Sequence, residues 1–359
     1  MNKKIYKEII ENTIVPSNIT SDEKIIRYDR ITQFMNQNTP KRLYRFRSAS
    51  EQNISAFYKD EIWFSSGNKM NDDFEARIFY DKKKIRAELM NLISESGELK
   101  VIASLRKNDE IPLEMFKIVP NAMDVFSWIK TVPEEQTIAM SRKVIEYILD
   151  NLDIGLKFVE NGLQESSRFA CFSEQIHSDM MWGHYASNAQ GFALEYVIDR
   201  YCNVFTESGT AGTYNVTANL FPIIYDNRRL DGTSYALYLF QIYILQLLYG
   251  QCLPTQWLNT LVPCPDEFMG TKIAIKKSRD WASEREWRVF YIPDFSEDSK
   301  KNNFIHIKPK AIYLGRKISD INQKILIDIA KEKGIPAYKM YIKDDLDSYK
   351  LSSCKIKIK

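Results

Sequence analysis

The segment WASEREWRVFYI, Trp281 to Ile292, places Glu284, Glu286 and Arg288 at every second position, with Arg285, Trp287 and Val289 between them. Only a strand puts alternate residues on one face. In a helix the two glutamates would point about 200° apart and could not act together. As a strand, the segment requires a sheet bearing a polar row of two carboxylates and a guanidinium. Such a row is either a cross-strand ion-pair face or a site, and the alternation alone leaves both readings open.

Other short period-two runs supply the rest of such a sheet: Arg42–Arg47 (RLYRFR), Glu61–Ser66 (EIWFSS), Arg168–Glu174 (RFACFSE) and Gly191–Ile198 (GFALEYVI). AIYLG and AYKMYI follow near the C-terminus, flanking a helix with Ser319 as N-cap and Gly334 as C-cap. The basic tail CKIKIK reads as a charged edge strand. Helical spacing dominates elsewhere. Residues 1–40 form an N-terminal helical segment, broken at Pro16 and restarted at Ser21–Glu23. Ser48 or Ser50 caps a helix running to about Lys59. Residues 82–165 read as a charged helical insertion, divided at Pro112, Pro120 and Pro133, which would act as a lid. The expected fold is therefore α+β, with a mixed β-sheet core over 41–81 and 166–359.

The 359 residues suffice for a large core, and the net charge of +3 is too small to indicate nucleic-acid binding by charge alone. Five scattered cysteines without a C-x-x-C pair point to reduced thiols in a cytoplasmic protein. Three histidines and no H-E-x-x-H motif argue against a multi-histidine zinc site, so no metal is expected. The start of the chain lacks the apolar stretch of a signal peptide. The most apolar run, Tyr235–Tyr249, is short for a membrane span and contains Gln241 and Gln246. It reads as a buried core helix, started by Asp231, Thr233 or Ser234 and ended by Gly250, so no membrane association is expected.

Polar and aromatic residues concentrate in four blocks: 43–46 (LYRF), 64–75 (FSSGNKMNDDFE), 171–196 (CFSEQIHSDMMWGHYASNAQGFALEY) and 277–290 (KSRDWASEREWRVF). In order and content these blocks resemble the bacterial domain-of-unknown-function 2971 family, over roughly residues 41–80 and 168–291. The family name supplies no activity. The order of an aromatic-Arg strand, a serine-bearing strand and a late Glu-x-Glu strand also resembles ADP-ribosyltransferases of the Arg–Ser–Glu type.

That second resemblance implies an ADP-ribosyltransferase-like fold with NAD as substrate. Breaking the nicotinamide–ribose bond builds positive charge at C1′, as in glycoside cleavage. A carboxylate near the ribose stabilises that charge and a second one handles the acceptor proton. Carried onto this chain, Glu286 is the ribose-binding glutamate and Glu284 its acceptor-side partner, while Arg45 meets phosphate or ribose. Ser173 supports Glu286, with Ser65 competing for that role, and Tyr44, Trp182 and Tyr185 are stacking candidates. His184 is either a general base or a structurally bonded ring. The reading implies a toxin or phage-defence effector with a nucleic-acid or protein acceptor, and an antitoxin or other defence-system component as partner.

Two other readings use the same residues. The clusters can form the internal polar network of a non-catalytic interaction or regulatory module. Alternatively, Asp72, Asp73, Glu75, Glu174 and Glu284 can supply carboxylates to a metal-dependent nuclease. In MNDDFE, Asn71 or Asp72 also suits the N-cap of a helix with Glu75 in its first turn.

Overall fold

The computed structural model describes residues 2–91, 131–205, 211–249, 262–291, 303–344, 347 and 349–357. The strands are β1 (Leu43–Arg47), β2 (Glu61–Trp63), β3 (Ser65–Ser66), β4 (Arg168–Ser173), β5 (Phe192–Tyr196), β6 (Cys202–Phe205), β7 (Ala211–Tyr214) and β8 (Leu220–Pro222). They continue with β9 (Ile224–Tyr225), β10 (Lys276–Lys277), β11 (Glu286–Phe290), β12 (Phe304–His306), β13 (Ala311–Leu314), β14 (Ala337–Tyr341) and β15 (Ser352–Lys355). The helices are α1 (Lys3–Asn12), α2 (Ser21–Asn38), α3 (Glu51–Tyr58), α4 (Lys82–Asn91) and α5 (Glu134–Asp150). After them come α6 (Leu152–Ser166), α7 (Asp179–Tyr185), α8 (Thr233–Tyr249), α9 (Met269–Ala274) and α10 (Asp320–Glu332).

One nine-stranded sheet organises the fold, in the order β15-β14-β13-β5-β1-β4-β11-β8, with β3 added beside β4. Its pairings are antiparallel except β13 with β14. The architecture is thus α+β with a mixed sheet. Strand β15 closes one edge; it runs from Ser352 to Lys355, so of the expected tail strand CKIKIK only Cys354 and Lys355 belong to it.

Alternation sorts the side chains between two apolar layers. Leu43, Phe172, Leu194, Trp287 and Ile312 face one layer, which is filled by Tyr6 and Ile10 of α1, Met35 of α2, Phe57 of α3 and Leu326 of α10. Tyr44, Phe46, Ala193 and Tyr313 face the other, which receives Met181 and Trp182 of α7. The N-terminal helices α1 and α2 therefore contribute to the same core as the sheet. Local signals behave as the sequence predicts. Thr20 and Glu23 form a capping box at α2, Ser50 caps α3, Ser319 caps α10, and Gly334 follows α10 at φ 65°.

Three expectations need correction. Glu61–Ser66 is not one strand. At Phe64 the chain changes partners, β2 pairing with β12 and β3 with β4. In MNDDFE no α-helix follows; Asp72 Oδ1 accepts the Phe74 N–H at 2.9 Å, a local turn that competes with helix. The apolar helix α8 forms, with Asp231 Oδ1 accepting the Thr233 N–H, but it buries only a stripe. Ala236 and Phe240 are enclosed against Ile85, Leu149 and Leu156, whereas Leu247 is 63% exposed. The predicted breaks at Pro112 and Pro120 and the Gly250 cap lie outside the described residues. No helix among the described residues is long and apolar enough to cross a membrane.

Candidate functional site

Strand β4 is the spine of the site. Tyr44 of β1 lies opposite Ser173 on one side, and Glu286 of β11 lies opposite the same Ser173 on the other. Residues in direct register share a face, so Tyr44, Ser173 and Glu286 form a row across three strands. Glu284 reaches this row by a different route from the predicted strand. Residues Arg279–Glu284 form a 3₁₀ turn capped by Ser278, and Arg285 then adopts a left-handed conformation at φ 45°. The alternation therefore holds from Glu286 to Arg288 and fails at Glu284. A left-handed non-glycine residue costs roughly 1–2 kcal/mol, tolerated here because the turn directs a second carboxylate into the site.

Around the row lies a buried ionic cluster of three carboxylates and two cations. Lys277 Nζ lies 2.7 Å from Glu284 Oε2, 3.2 Å from Glu286 Oε2 and 3.9 Å from Glu75 Oε2. Arg288 Nε donates to Glu286 Oε1 at 2.7 Å, and its Nη2 donates to Glu75 Oε2 at 2.7 Å. Its Nη1 donates to Glu75 Oε1 and to the Ala274 carbonyl. The guanidinium also lies 4.2 Å from the centre of the Phe169 ring. Arg288 has no exposed surface and Glu75 only 2%, so these charges are stabilised by one another and not by water. Tyr185 donates its hydroxyl proton to Glu284 Oε1, and Asn71 Nδ2 donates to the Tyr185 oxygen. The Glu286 N–H is taken up by the Tyr225 hydroxyl at 2.9 Å.

The two central carboxylates differ in their environments. For Glu286, burial would raise the pKa, but Arg288 and Lys277 outweigh it and hold the group well below the usual carboxylate range. For Glu284, burial wins over Lys277 and Tyr185, and the pKa rises. As pH falls, Glu284 takes up a proton before Glu286. Burial and the neighbouring Glu284 also push the Tyr185 hydroxyl up, keeping it a hydrogen-bond donor. Burial, then Glu286, keeps the Cys171 sulfur a thiol.

The cluster forms one wall of a cleft of about 130 Å³. Residues from both faces of β1 and β4 line it, including Arg45, Phe46, Cys171 and Phe172. This happens where the two strands part: their only register pair is Tyr44 with Ser173, and further along β4 pairs with β3 instead. The volume is below the roughly 300–1,000 Å³ of a site for a drug-sized ligand. The cleft fits a single ring or sugar, with the remainder of a larger molecule left on the outer rim.

Tyr44, Arg45, Ser65, Ser173, Tyr185, Glu284 and Glu286 all line this cleft. Their roles differ from those expected. The Ser173 hydroxyl donates to the Glu284 carbonyl at 2.7 Å, so it fixes the backbone of Glu284 and makes no bond to the Glu286 carboxylate. Arg45 points away from the Tyr44–Ser173–Glu286 row. It stacks 5.8 Å from the Phe172 ring, its Nη2 donates to the Trp63 carbonyl at 2.6 Å, and its buried Nε and Nη1 have no partner. Trp182 is fully buried, its Nε1 donates to the Ile176 carbonyl and its ring meets Phe46 edge-on, so it packs the core and is not on the cleft wall. His184 is exposed and also lies off the wall. Of the nuclease carboxylates, Glu174 accepts from Trp287 Nε1, Asp73 is exposed and Asp72 is used in its turn. Among the described residues no group of His, Cys, Asp and Glu is arranged to hold a metal ion.

Lys277, Glu75 and Tyr225 complete the cluster and were not singled out for it. Lys277 lies at the very start of the fourth block, in two-residue β10, too short to show alternation. Glu75 reads locally as a turn residue, and only its pairing with Arg288 across 213 positions reveals its function.

The family model described as "Protein of unknown function (DUF2971)" matches residues 181–289. The match takes in α7 from Met181 onward, Lys277, Glu284, Glu286 and Arg288, and it stops short of Tyr44, Glu75 and Ser173. No curated protein and no solved structure matches the chain.

Proposed function

We propose that the cleft cleaves a glycosidic C–N bond, as an ADP-ribosyltransferase-like enzyme with NAD as substrate. The observation that carries this reading is the pair of carboxylates in one cleft, Glu286 held as a weakly basic anion by Arg288 and Lys277 and Glu284 made the more basic of the two by burial. Two acids pushed apart in this way suit complementary roles in sugar chemistry. The C1′–nitrogen bond breaks and its electron pair leaves with nicotinamide. The Glu286 anion offsets the charge left on the sugar. Glu284 accepts the proton of the acceptor hydroxyl as the new C1′–oxygen bond forms. The cleft has room for the nicotinamide ring or the ribose, with the remainder of the NAD on the outer rim, while Arg45 and Arg47 bring positive charge to its β1 side.

The deciding measurement is nicotinamide release from NAD in the presence of cell extract, for the wild type and for Glu286→Gln, whose folding is checked by circular dichroism. Release by the wild type, with at least a hundredfold loss in the variant, is expected from removal of a transition-state charge partner. The wild-type rate should also fall on the acid side as Glu284 protonates, and Glu284→Gln should lack that limb. No release in any extract, together with no thermal shift on adding NAD, would transfer the cluster to the interaction-module reading, in which every carboxylate is already matched by Lys277 or Arg288. Magnesium-dependent cleavage of nucleic acid would favour the nuclease reading.

A further inference from the structure

The loop bearing Asn71–Glu75 and strand β10 together form a partition. On one side is the carboxylate cleft; on the other is a second hollow of about 210 Å³, and Lys277 lines both. Five basic residues line the second hollow: Arg77, Arg228, Arg229, Lys276 and Lys277. Its two acids are already used. Asp226 is bound by Lys7 and lies 3.6 Å from Lys276, and Asp72 accepts from the backbone. Arg77 is matched by Glu160 at 2.6 Å. Arg228 and Arg229 are exposed and make no ion pair among the described residues.

Arg229 is not a loose surface side chain. Its Nη2 donates to the Arg77 carbonyl at 2.9 Å and to the Ile78 carbonyl at 2.6 Å. So anchored, the guanidinium lies 5.7 Å from the Phe74 ring and 5.8 Å from the Phe79 ring. Phe74 is 60% exposed and Phe79 44%, although large apolar rings are ordinarily removed from water. The surface therefore presents two exposed rings with a fixed cation between them and a second unmatched cation next in sequence.

We propose that this face docks single-stranded nucleic acid, with unpaired bases stacking on Phe74 and Phe79 and phosphates meeting Arg228 and Arg229. Exposed rings beside a fixed guanidinium suit unpaired bases, which offer a π-face whatever their sequence. Duplex DNA hides those faces, and an acidic protein segment would have no use for the rings. The binding surface stands independently of the transferase reading.

The test is fluorescence anisotropy at low salt without NAD, using a labelled oligothymidylate about 20 nucleotides long, longer than the roughly 4–16 nucleotides of a common single-strand site. Binding should weaken steeply with salt. Phe74→Ala should weaken it about tenfold, consistent with loss of one stacking partner. Arg228→Glu/Arg229→Glu should weaken it further and lower the salt slope by about 1.4, as expected for two lost single-strand phosphate contacts. Lys355→Glu on the sheet edge should change nothing, and because Arg229→Glu gives up two carbonyl bonds, all variants are compared at a temperature where circular dichroism shows each of them folded. Absence of binding at low salt, binding unaffected by these substitutions, or equal affinity for a duplex of the same length would each overturn the proposal. Since the assay contains no NAD, a failed turnover experiment leaves its outcome untouched.

Discussion

At the scale of single residues, Arg45 stands out among the described residues as a buried cation with no carboxylate partner. It is 5% exposed, its neighbours supply no carboxylate, and burial, reinforced by Arg47, pushes its pKa down to about 9. An unmatched buried cation weakens the fold unless something else needs it. Arg45→Met, of similar reach and no charge, should therefore raise stability by about 1 kcal/mol, measured by urea unfolding, while abolishing the thermal shift produced by NAD. A destabilised variant would instead make the bond to the Trp63 carbonyl the reason for the arginine. Single residues were also where the sequence was most informative. Alternation singled out Glu286 and Arg288, because a strand's period is a local property. It misassigned the path to Glu284, because a left-handed Arg285 has no local signature comparable to a glycine.

Among the elements, the turn after α7 determines how that helix meets the sheet. Ser187, Asn188 and Ala189 all adopt left-handed backbone conformations, and the chain then passes through Gly191 into β5. A Cβ on Gly191 would lie 2.1 Å from the Arg47 carbonyl oxygen of β1, a contact that only movement of backbone could relieve. Gly191→Ala should cost about 3 kcal/mol in urea unfolding, with an unchanged denaturant slope. It should also weaken ligand binding, because α7 carries Tyr185 and Met181 to the cleft. An unperturbed midpoint would mean that β1 and β5 slide past each other more easily than their five register pairs imply. Helix caps and turn glycines were readable in advance for the same reason as the strands: their partners lie within a few residues. The split of Glu61–Ser66 between two sheets was not, since it depends on β12 and β4.

For the molecule as a whole, the bond between Glu75 and Arg288 draws the early loop onto the late strand. Glu75→Ala leaves Arg288 buried with half its carboxylate partners gone, and should cost about 3–5 kcal/mol in urea unfolding. A loss below about 1 kcal/mol would mean that water or Glu286 takes over the vacated face. The α+β class and the mixed sheet could be read from the spacing of short strands among helices. The strand order could not, because β5 pairs with both β1 and β13, and choices between partners so far apart leave no periodic trace.

The same long-range closure has a consequence in time. During synthesis Tyr44, Ser65 and Glu75 are made early, but Lys277, Glu284, Glu286 and Arg288 follow some two hundred positions later, Arg288 being 213 residues beyond Glu75. Until β11 emerges, β4 lacks its neighbour on that side and the cleft has no carboxylate pair. The cleft therefore assembles in one step, once Arg288 has emerged, and not strand by strand.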